Sequence, residues 1–356
     1  MNTIHPPQFL FVHVNKRCNL RCQHCDFWQL NDADKSHYLQ GERMCELLGE
    51  FAGMNPTGKV VICGGDALLD LDDYLHISTT CRRLGLRAIS VINGTRIRNG
   101  AIAERLIREG AHELSVSLNS HLSNLHDETR GVQGAVDKAV AALRLLLDAR
   151  ERAGATGTRI YVMGLIFDQN YLALEDFYDF VLNDIKADKL KLNFLQPSFG
   201  QQGQMDPFFA KHHRVDPDRL VEVLDRCDRR FGLGLNPAWK EDVRMYFRSL
   251  LACRDIQRGW GSSARTTEHI CNTYERNIMV DHYGVARLCF SSSFPGMQLH
   301  KPGDLLRFWE VADPIRDAMR QCRQLCGISH SVRRETSTLA SRRLPLDFAD
   351  TAPRTS

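Results

Sequence analysis

The sequence predicts an α/β fold in which a partial (β/α)6 TIM-like barrel is followed by a small cysteine-rich C-terminal domain. Two observations lead to this prediction. Short apolar, β-rich segments alternate six times with helical segments, which is typical of parallel strands joined by right-handed crossovers. Six units are fewer than the eight that close a TIM barrel, so the barrel is expected to stay open. Cysteines also concentrate near the start of the chain and again after residue 270.

The strands are predicted where short apolar runs end at turn residues or at a helical pattern. These runs lie at 9–14, 59–63, 86–92, 112–118, 158–166 and 189–195. Helical periodicity follows at 38–51, 72–83, 101–109, 135–152, 174–182 and 218–230. Between the last strand and the last helix, the irregular segment 196–215 is rich in Gln, Gly and Phe and is a candidate cover for the substrate mouth.

Composition favours an ordinary cytoplasmic enzyme. The chain has 356 residues, of which 43% are hydrophobic and 25% are charged, as in globular proteins. A net charge of +3 does not demand a nucleic-acid partner, and no apolar run approaches the ~20 residues of a membrane span. Twelve cysteines without a recognisable signal peptide indicate a reducing compartment and metal or redox chemistry.

Cys18, Cys22 and Cys25 form a C-x3-C-x2-C loop directly after the first predicted strand. A loop in this position presents its side chains at the mouth of the fold. Three thiolates can hold three irons of a [4Fe–4S] cluster, which normally takes four cysteines, and would leave one iron open. Half of a zinc site or a set of disulfide partners remains the alternative at this point.

The triplet after a first strand resembles the signature of the radical S-adenosylmethionine (SAM) superfamily. The resemblance implies a partial (β/α)6 barrel, a SAM-binding [4Fe–4S] cluster and SAM bound at the open iron. It also implies reductive cleavage of SAM, with an external one-electron reductant such as flavodoxin or ferredoxin, and removal of a hydrogen atom from the substrate by the 5′-deoxyadenosyl radical. The six-unit topology, which was predicted from periodicity alone, agrees with this.

Gly64, Gly65 and Asp66 follow the second strand and resemble the Gly-Gly-Glu of the family, which contacts the amino group of SAM. Glycines let the backbone approach a ligand closely, and a carboxylate can accept hydrogen bonds from an ammonium group. The Asp of this chain is one methylene shorter than the family Glu. The alternative is a turn in which Asp66 caps the next helix.

Other strand ends supply the remaining candidates for SAM binding. Asn93 begins an Asn-Gly turn after the third strand, which resembles the family's turn at this place. Ser117 and Asn119 share one side of the fourth strand by its period of two, and the resemblance implies that they face the ribose. Arg130 would pair with the SAM carboxylate, and 163–166 would supply apolar walls for adenine. Each of these polar groups could instead only satisfy a strand end.

The second cysteine cluster lies beyond the predicted barrel. The segment between the first two of its members reads as a β-hairpin with its turn just before Gly284, and the last two lie one helical turn apart. The four cysteines are Cys271, Cys289, Cys322 and Cys326. Their spacing resembles the twitch domain, the shortened form of the SPASM extension, and implies a second, auxiliary [4Fe–4S] cluster. Four thiolates also suit structural zinc, which remains the alternative.

These patterns divide the chain into a barrel at 8–232, an auxiliary domain at 233–330 and a polar tail at 331–356 that is expected to be mobile. Cys253 lies outside both ligand sets. It is a candidate for packing, for a replacement cluster ligand, or for a hydrogen-atom donor to the substrate radical.

The substrate class is left between two hypotheses. One is a small hydroxylated natural-product intermediate, such as a sugar or aminocyclitol, which is oxidised or epimerised. The other is a ribosomally made peptide that is cross-linked or epimerised. Only about eight residues precede the first strand, which leaves no room for an N-terminal peptide-recognition module and favours the small molecule. A non-catalytic iron–sulfur protein is a further alternative.

Overall fold

The computed structural model describes residues 5–30, 35–39, 41–197, 206–252, 269–290, 294–322 and 331–333. The six strands of the barrel segment and the helices that follow each of them alternate along the chain. They are β1 (Phe9–His13), α1 (Gly41–Met54), β2 (Lys59–Cys63), α2 (Leu71–Arg83), β3 (Arg87–Ile92), α3 (Gly100–Glu109), β4 (Glu113–Ser117), α4 (Ser123–Arg130), α5 (Ala135–Arg152), β5 (Arg159–Ile166), α6 (Leu174–Asp179), β6 (Lys189–Phe194), α7 (Pro207–His212), α8 (Pro217–Phe231) and α9 (Pro237–Ala252).

The remaining elements belong to the C-terminal part of the chain. They are β7 (His269–Cys271), β8 (Asn277–Val280), β9 (Val285–Arg287), β10 (Met297–Gln298), α10 (Asp304–Val311), α11 (Asp313–Arg320) and β11 (Ser331–Arg333). No helix in the described part of the chain is both long enough and apolar enough to cross a membrane.

Strands β1 to β6 pair in parallel with their sequence neighbours, which confirms the predicted α/β class and its six-strand order. Every predicted strand has an observed counterpart within two residues at each end. Helices α4, α7 and α9 were not predicted. In α4 the segment is mainly polar, and Leu125 is its one buried aliphatic side chain, so no apolar stripe marks a helix.

The two faces of this sheet differ in what covers them. On one face, fully buried residues such as Val12, Ile62 and Val116 pack against the helices in the main core. Residues one position along each strand point the other way. Phe9, Val61 and Ile89 form a second, separate apolar cluster there. We call this side, away from the helices, the inner face.

The predicted hairpin is confirmed: β8 and β9 pair antiparallel, and Gly284 closes the turn at φ 82°. The sequence did not indicate where it would lie. β8 pairs in parallel with β1, so β8, β9 and β10 extend the core into one nine-stranded sheet. The pair β7 and β11 forms a separate antiparallel sheet. The division of the chain at residue 232 stays a prediction, because the two segments share one sheet.

The start of α5 is fixed by a side chain from α4. Asp127, which is 6% exposed, accepts hydrogen bonds from the backbone N–H of Gly134 at 2.6 Å and of Val136 at 2.9 Å. These are two of the N–H groups that a helix leaves without an internal partner. This contact sets where α5 begins, close beside the cysteine triplet.

Replacing Asp127 with Ala is expected to lower the free energy of unfolding by about 1–2 kcal/mol, because two helix N–H groups lose their acceptor. Asp148→Ala on the exposed part of the same helix is the matched control and should change it by less than about 0.5 kcal/mol. Urea unfolding of both variants measures the difference. Equal losses would show that the contact with the start of α5 contributes nothing particular.

Candidate functional site

The cysteine triplet lies in the loop that follows β1. Cys18, Cys22 and Cys25 pack in one small apolar cluster with Leu20, Val132 and Ala135. Cys22 is buried, and the other two thiols are partly exposed. The sequence therefore predicted correctly that the three side chains meet at the end of the first strand.

The end of β2 holds the start of this loop through backbone hydrogen bonds. The N–H of Gly65 donates to the Asn15 carbonyl at 3.2 Å, and that of Asp66 donates to the Arg17 carbonyl at 2.7 Å. A Cβ on Gly65 would lie 2.0 Å from the Arg17 oxygen, and Gly64 has φ +141°. The close approach that the sequence predicted for a ligand is made here to the backbone of the loop.

The end of β3 holds the middle of the loop. Asn19 donates from Nδ2 to Thr95 Oγ1 at 2.7 Å, and Asn93 donates from Nδ2 to Asn19 Oδ1 at 2.9 Å. Asn93 Oδ1 also accepts from the N–H of Thr95 at 2.9 Å. In this structure the Asn-Gly turn therefore positions the cysteine loop. Contact between Asn93 and SAM stays a prediction.

The segment after β4 holds the other side of the loop. The N–H of Arg21 donates to the Arg130 carbonyl, and that of Gln23 donates to the Thr129 carbonyl, both at 3.0 Å. Gly131 has φ +64°, and a Cβ there would lie 2.3 Å from the Arg21 oxygen. Only glycine satisfies both conditions without strain.

Two of the three thiols have raised pKa values. Burial raises the pKa of Cys18 to about 11 and that of Cys25 to about 12, and repulsion from Cys22 adds to both. A metal bound to sulfur reverses this preference and releases the proton. No group of three or more Cys, His, Asp or Glu side chains in the described ranges could hold a single metal ion. In a cubane each thiolate binds a different iron, so such a cluster does not require the three thiols to converge on one ion.

Asp66 is a buried carboxylate beside this loop. It is 2% exposed, and neither of its oxygens has a hydrogen-bond partner among the described residues. Burial raises its pKa to about 6, although the nearby Leu68 backbone, the positive charge of Arg96 and Asn93 favour the charged form. Asp66 occupies the N-cap position of the short helix that follows, but its side chain makes no capping hydrogen bond there. A buried carboxylate without a hydrogen-bond donor suits a cationic ligand group.

Arg130 is aimed at the thiols by Asn119. The Arg130 Nη2 donates to Asn119 Oδ1 at 3.0 Å, and its Nη1 lies 3.7 Å from Cys22 Sγ. Asn119 also accepts from the N–H of Leu165 and donates to Thr129 Oγ1. These hydrogen bonds occupy the Asn119 amide within the protein, and its contact with a ribose stays a prediction. Ser117 is 9% exposed and lies opposite Met163 in the register of β4 and β5.

Sequence reasoning missed the residues that brace the loop from within. Asn15, which is fully buried, donates from Nδ2 to the Asp66 carbonyl at 3.0 Å and to Asp70 Oδ2 at 2.8 Å. Asp70 also accepts from Arg17 at 2.5 Å. His126 accepts from the N–H of Asn119 at 3.0 Å, and burial lowers its pKa to about 3. Nothing in their spacing marks these residues; their roles arise from strand ends that meet in space.

Three of the four distal cysteines lie in the described part of the chain. Cys271 ends β7, is 7% exposed and has its Sγ 3.0 Å from Thr273 Oγ1. Cys322 follows α11, which packs against β7, and Cys289 follows β9 by two residues. Cys326 and Cys253 lie outside the described residues. The second cluster therefore stays a prediction.

A family model described as the radical SAM superfamily matches residues 12–181, which contain the cysteine loop and the strand ends that hold it. The chain belongs to the radical SAM superfamily. The zinc and disulfide alternatives for the triplet give way to the iron–sulfur cluster that this superfamily implies.

Proteins similar to this chain include enzymes with different names. An AdoMet-dependent heme synthase of Oleidesulfovibrio alaskensis is 31% identical over 140 residues, which are 38% of this chain and 34% of that protein. The chain thus spans about a third of the length of that relative. A GTP 3′,8-cyclase of Vibrio cholerae is 23% identical over 298 residues, which cover 76% of this chain and 80% of that protein.

A solved structure supports the fold of this radical SAM chain. The crystal structure of Streptococcus suis SuiB bound to S-adenosylmethionine aligns with a TM-score of 0.59 at 16% identity. The alignment covers 89% of this chain and 66% of SuiB. At this identity the likeness shows a shared fold, in agreement with the parallel strand order.

Asp66 and Asp70 are expected to affect stability in opposite directions. Because burial raises the pKa of Asp66, the folded protein holds its proton more strongly than the unfolded chain between about pH 4 and pH 6. The free energy of unfolding therefore falls as pH rises through that window. Asp66→Asn should raise the stability of the SAM-free protein by up to about 3 kcal/mol at about pH 7.5, and by much less at about pH 4.5.

Asp70→Asn is the matched control four residues away. Burial alone would raise the pKa of Asp70, but hydrogen bonds from Arg17, Lys35 and Asn15 outweigh it and hold the pKa below its ordinary value. This variant should lose stability at about pH 7.5. Thermal unfolding at the two pH values measures both effects. A destabilising Asp66→Asn would contradict the interpretation that the buried charge of Asp66 costs the SAM-free protein stability.

Proposed function

We propose that this radical SAM enzyme cleaves SAM reductively at a [4Fe–4S] cluster held by Cys18, Cys22 and Cys25. We further propose that it oxidises or epimerises a small hydroxylated natural-product intermediate, such as a sugar or aminocyclitol. The observation that carries the first part is the joint arrangement of three packed thiols and the buried Asp66 carboxylate, whose backbone is hydrogen-bonded to the cysteine loop.

The roles of the chain's own residues follow from their positions. The three thiols hold iron, and the carboxylate of Asp66 receives the amino group of SAM, which compensates its buried charge. Arg130 offers its guanidinium, with Nε lacking a partner in the described part of the chain, to the carboxylate of SAM. Asn119 positions that guanidinium, and Ser117 with 163–166 lines the adenosine side. Gly64, Gly65 and Asn93 act by holding the loop.

When bound, the reduced cluster and SAM supply a carbon-centred radical that can remove a hydrogen atom from an unactivated C–H bond. The electron is proposed to come from an external reductant such as flavodoxin or ferredoxin. The protein's contribution is to orient the two groups and to exclude water. The strand ends around the cysteine loop are half-buried and Asn119 is fully buried, so this part of the protein can exclude water.

The names of the curated relatives support a small-molecule substrate, since they refer to heme and to GTP. A ribosomally made peptide remains the alternative. SuiB has also been solved with its precursor peptide SuiA, although its 16% identity carries the fold alone. A non-catalytic iron–sulfur protein is a second alternative, which the assay of SAM cleavage below tests.

The auxiliary cluster is a separate proposal. Cys271 and Cys322 come from elements that pack together, which supports a shared site with Cys289 and Cys326. Structural zinc remains its alternative. Cys253 keeps its three candidate roles: packing, a replacement ligand, or a hydrogen-atom donor.

Replacing Cys18, Cys22 and Cys25 together with Ala is expected to abolish formation of 5′-deoxyadenosine. Anaerobically purified protein should carry about eight irons, and the triple variant should keep roughly half of them. Iron analysis and chromatography of the products after reduction with dithionite measure both. Cys45→Ala, which changes a thiol on α1 away from the loop, is the control and should leave iron unchanged. Continued SAM cleavage in the triple variant would overturn the proposal.

Replacing Cys271, Cys289, Cys322 and Cys326 with Ala should remove one cluster and leave the other able to cleave SAM. The measurement is iron content together with the electron paramagnetic resonance spectrum of the reduced protein. One equivalent of zinc and only about four irons in the intact protein would favour the structural-zinc alternative.

A further inference from the structure

Cys63 is a thiol beside the candidate site to which the proposed function gives no role. It is the last residue of β2 and follows Ile62, whose side chain points to the helices, so its own side chain points to the inner face. The apolar cluster of Phe9, Val61 and Ile89 fills that face toward the start of the strands. Cys63 therefore lies on the carboxyl side of this cluster, where the cysteine loop also lies.

The neighbouring strand places Cys63 close to the cysteine loop. His13, the last residue of β1, is the Cα partner of Cys63, and adjacent strands lie about 4.8 Å apart. The His13 ring is edge-on to the Phe27 ring, with 5.4 Å between their centres, and Phe27 follows Cys25 by two residues. The Cys63 carbonyl accepts a hydrogen bond from the N–H of Val14 at 2.9 Å. The main chain of Cys63 is thus fixed beside the loop that holds the proposed cluster.

Two polar groups near Cys63 point to a ligand in this place independently of the thiol. Asp66 follows Cys63 by three residues, and three steps of extended chain span at most about 11 Å. It is buried, and neither of its oxygens has a hydrogen-bond partner in the described part of the chain. Ser115 lies on the inner face two strands along, at about 10 Å by the usual strand spacing. Its Oγ is also buried and has no partner among the described residues.

The Cys63 thiol keeps its hydrogen and some accessible surface. Burial raises the pKa of Cys63 to about 12, and the N–H of Gly64 opposes this shift only in part. Cys81 and Cys227 are fully buried in the main core, whereas Cys63 is partly exposed and belongs to no apolar cluster of the described residues. Packing in a core therefore explains the first two cysteines and does not explain Cys63. A protonated thiol can give a hydrogen atom to a carbon radical, because the S–H bond is weaker than a C–H bond.

We propose that Cys63 is a catalytic residue that returns a hydrogen atom to the substrate radical, so that the enzyme epimerises its substrate and does not oxidise it. The proposal rests on the proposed function and decides between the two outcomes that it leaves open. The position of Cys63 supports it, since the thiol lies between the apolar floor of the inner face and the loop where SAM is proposed to be cleaved.

The step balances in atoms and electrons. The S–H bond of Cys63 breaks, and a C–H bond forms on the face of the substrate carbon opposite the one that lost its hydrogen. The thiyl radical of Cys63 then takes one electron from the external one-electron reductant and a proton from water, which restores the thiol. The substrate loses one hydrogen atom and gains one, so it is neither oxidised nor reduced. Each turnover consumes two electrons and one proton for each SAM cleaved.

The test uses the intact, iron-loaded protein in heavy water under anaerobic conditions, with SAM and dithionite and without substrate. Thiol hydrogens exchange with heavy water, whereas hydrogens bound to carbon do not. With no substrate present, Cys63 is expected to give its deuterium to the 5′-deoxyadenosyl radical, and dithionite then reduces the thiyl radical. Mass spectrometry of the 5′-deoxyadenosine measures this label, and a single deuterium is expected.

Serine variants identify the donor. Cys63→Ser should form 5′-deoxyadenosine that has lost most of the label, because a hydroxyl also exchanges with heavy water but its O–H bond is too strong to give a hydrogen atom to a carbon radical. Cys45→Ser removes a partly exposed thiol of α1 and is the matched control, which should keep the label. Equal labelling of Cys63→Ser and the wild type would overturn the proposal. Loss of the label in Cys253→Ser instead would assign the donor to Cys253 and would also overturn it.

A second readout does not depend on variants. A nitrone spin trap added to the wild-type reaction should form an adduct on the peptide that contains Cys63, as located by mass spectrometry. Deuterated 5′-deoxyadenosine without an adduct at Cys63 would contradict the proposal. The product itself separates the two levels: 5′-deoxyadenosine that carries no deuterium refutes this inference alone, whereas the absence of any 5′-deoxyadenosine refutes the proposed function.

Discussion

The geometry of the candidate site depends on a set of backbone hydrogen bonds that hold one loop between three strand ends. The loop from Asn15 to Cys25 accepts backbone hydrogen bonds from the segment after β2 and donates others to the segment after β4. Side-chain hydrogen bonds join it to the turn after β3. Main-chain contacts of this kind fix the path of the loop whatever its side chains bind. The positions of the three thiols relative to a metal cluster are therefore set by the main chain and not by contacts between the thiols.

Two neighbouring carboxylates beside this loop, Asp66 and Asp70, have different surroundings. Asp70 is satisfied by Asn15 and Arg17 and serves the loop, whereas Asp66 is buried without a hydrogen bond. A fold that only needed stability would not keep the second arrangement, because a buried carboxylate without partners is costly. Such a cost is typical of residues whose partner is a ligand. The structural carboxylate of Asp70 and the carboxylate of Asp66, which is proposed to bind SAM, thus lie only four residues apart.

Local patterns explain how much of this could be predicted from the sequence. Strands β1 to β6 follow from short apolar runs, and the cysteine loop from its spacing, because both signals lie within a few residues. The bracing role of Asn15, the engagement of Asn119 with Arg130 and the pairing of β8 with β1 were not predictable. Each joins residues distant in sequence, and their types are common wherever polar groups satisfy strand ends. The sequence predicted that Gly64 and Gly65 allow a close approach, but the group that approaches them is the protein's own backbone.

The pairing of β1 with β8 also bears on how the protein is made. Phe9 pairs with Asn277, so the strand that leads into the cysteine loop waits for a partner synthesised 268 residues later. At usual rates of translation this takes on the order of tens of seconds. Until then β1 is an edge strand with apolar residues such as Leu10 and Val12, which is a surface on which nascent chains associate. The sheet around β1 is therefore completed long after the cysteine loop and the segments that hold it have been synthesised.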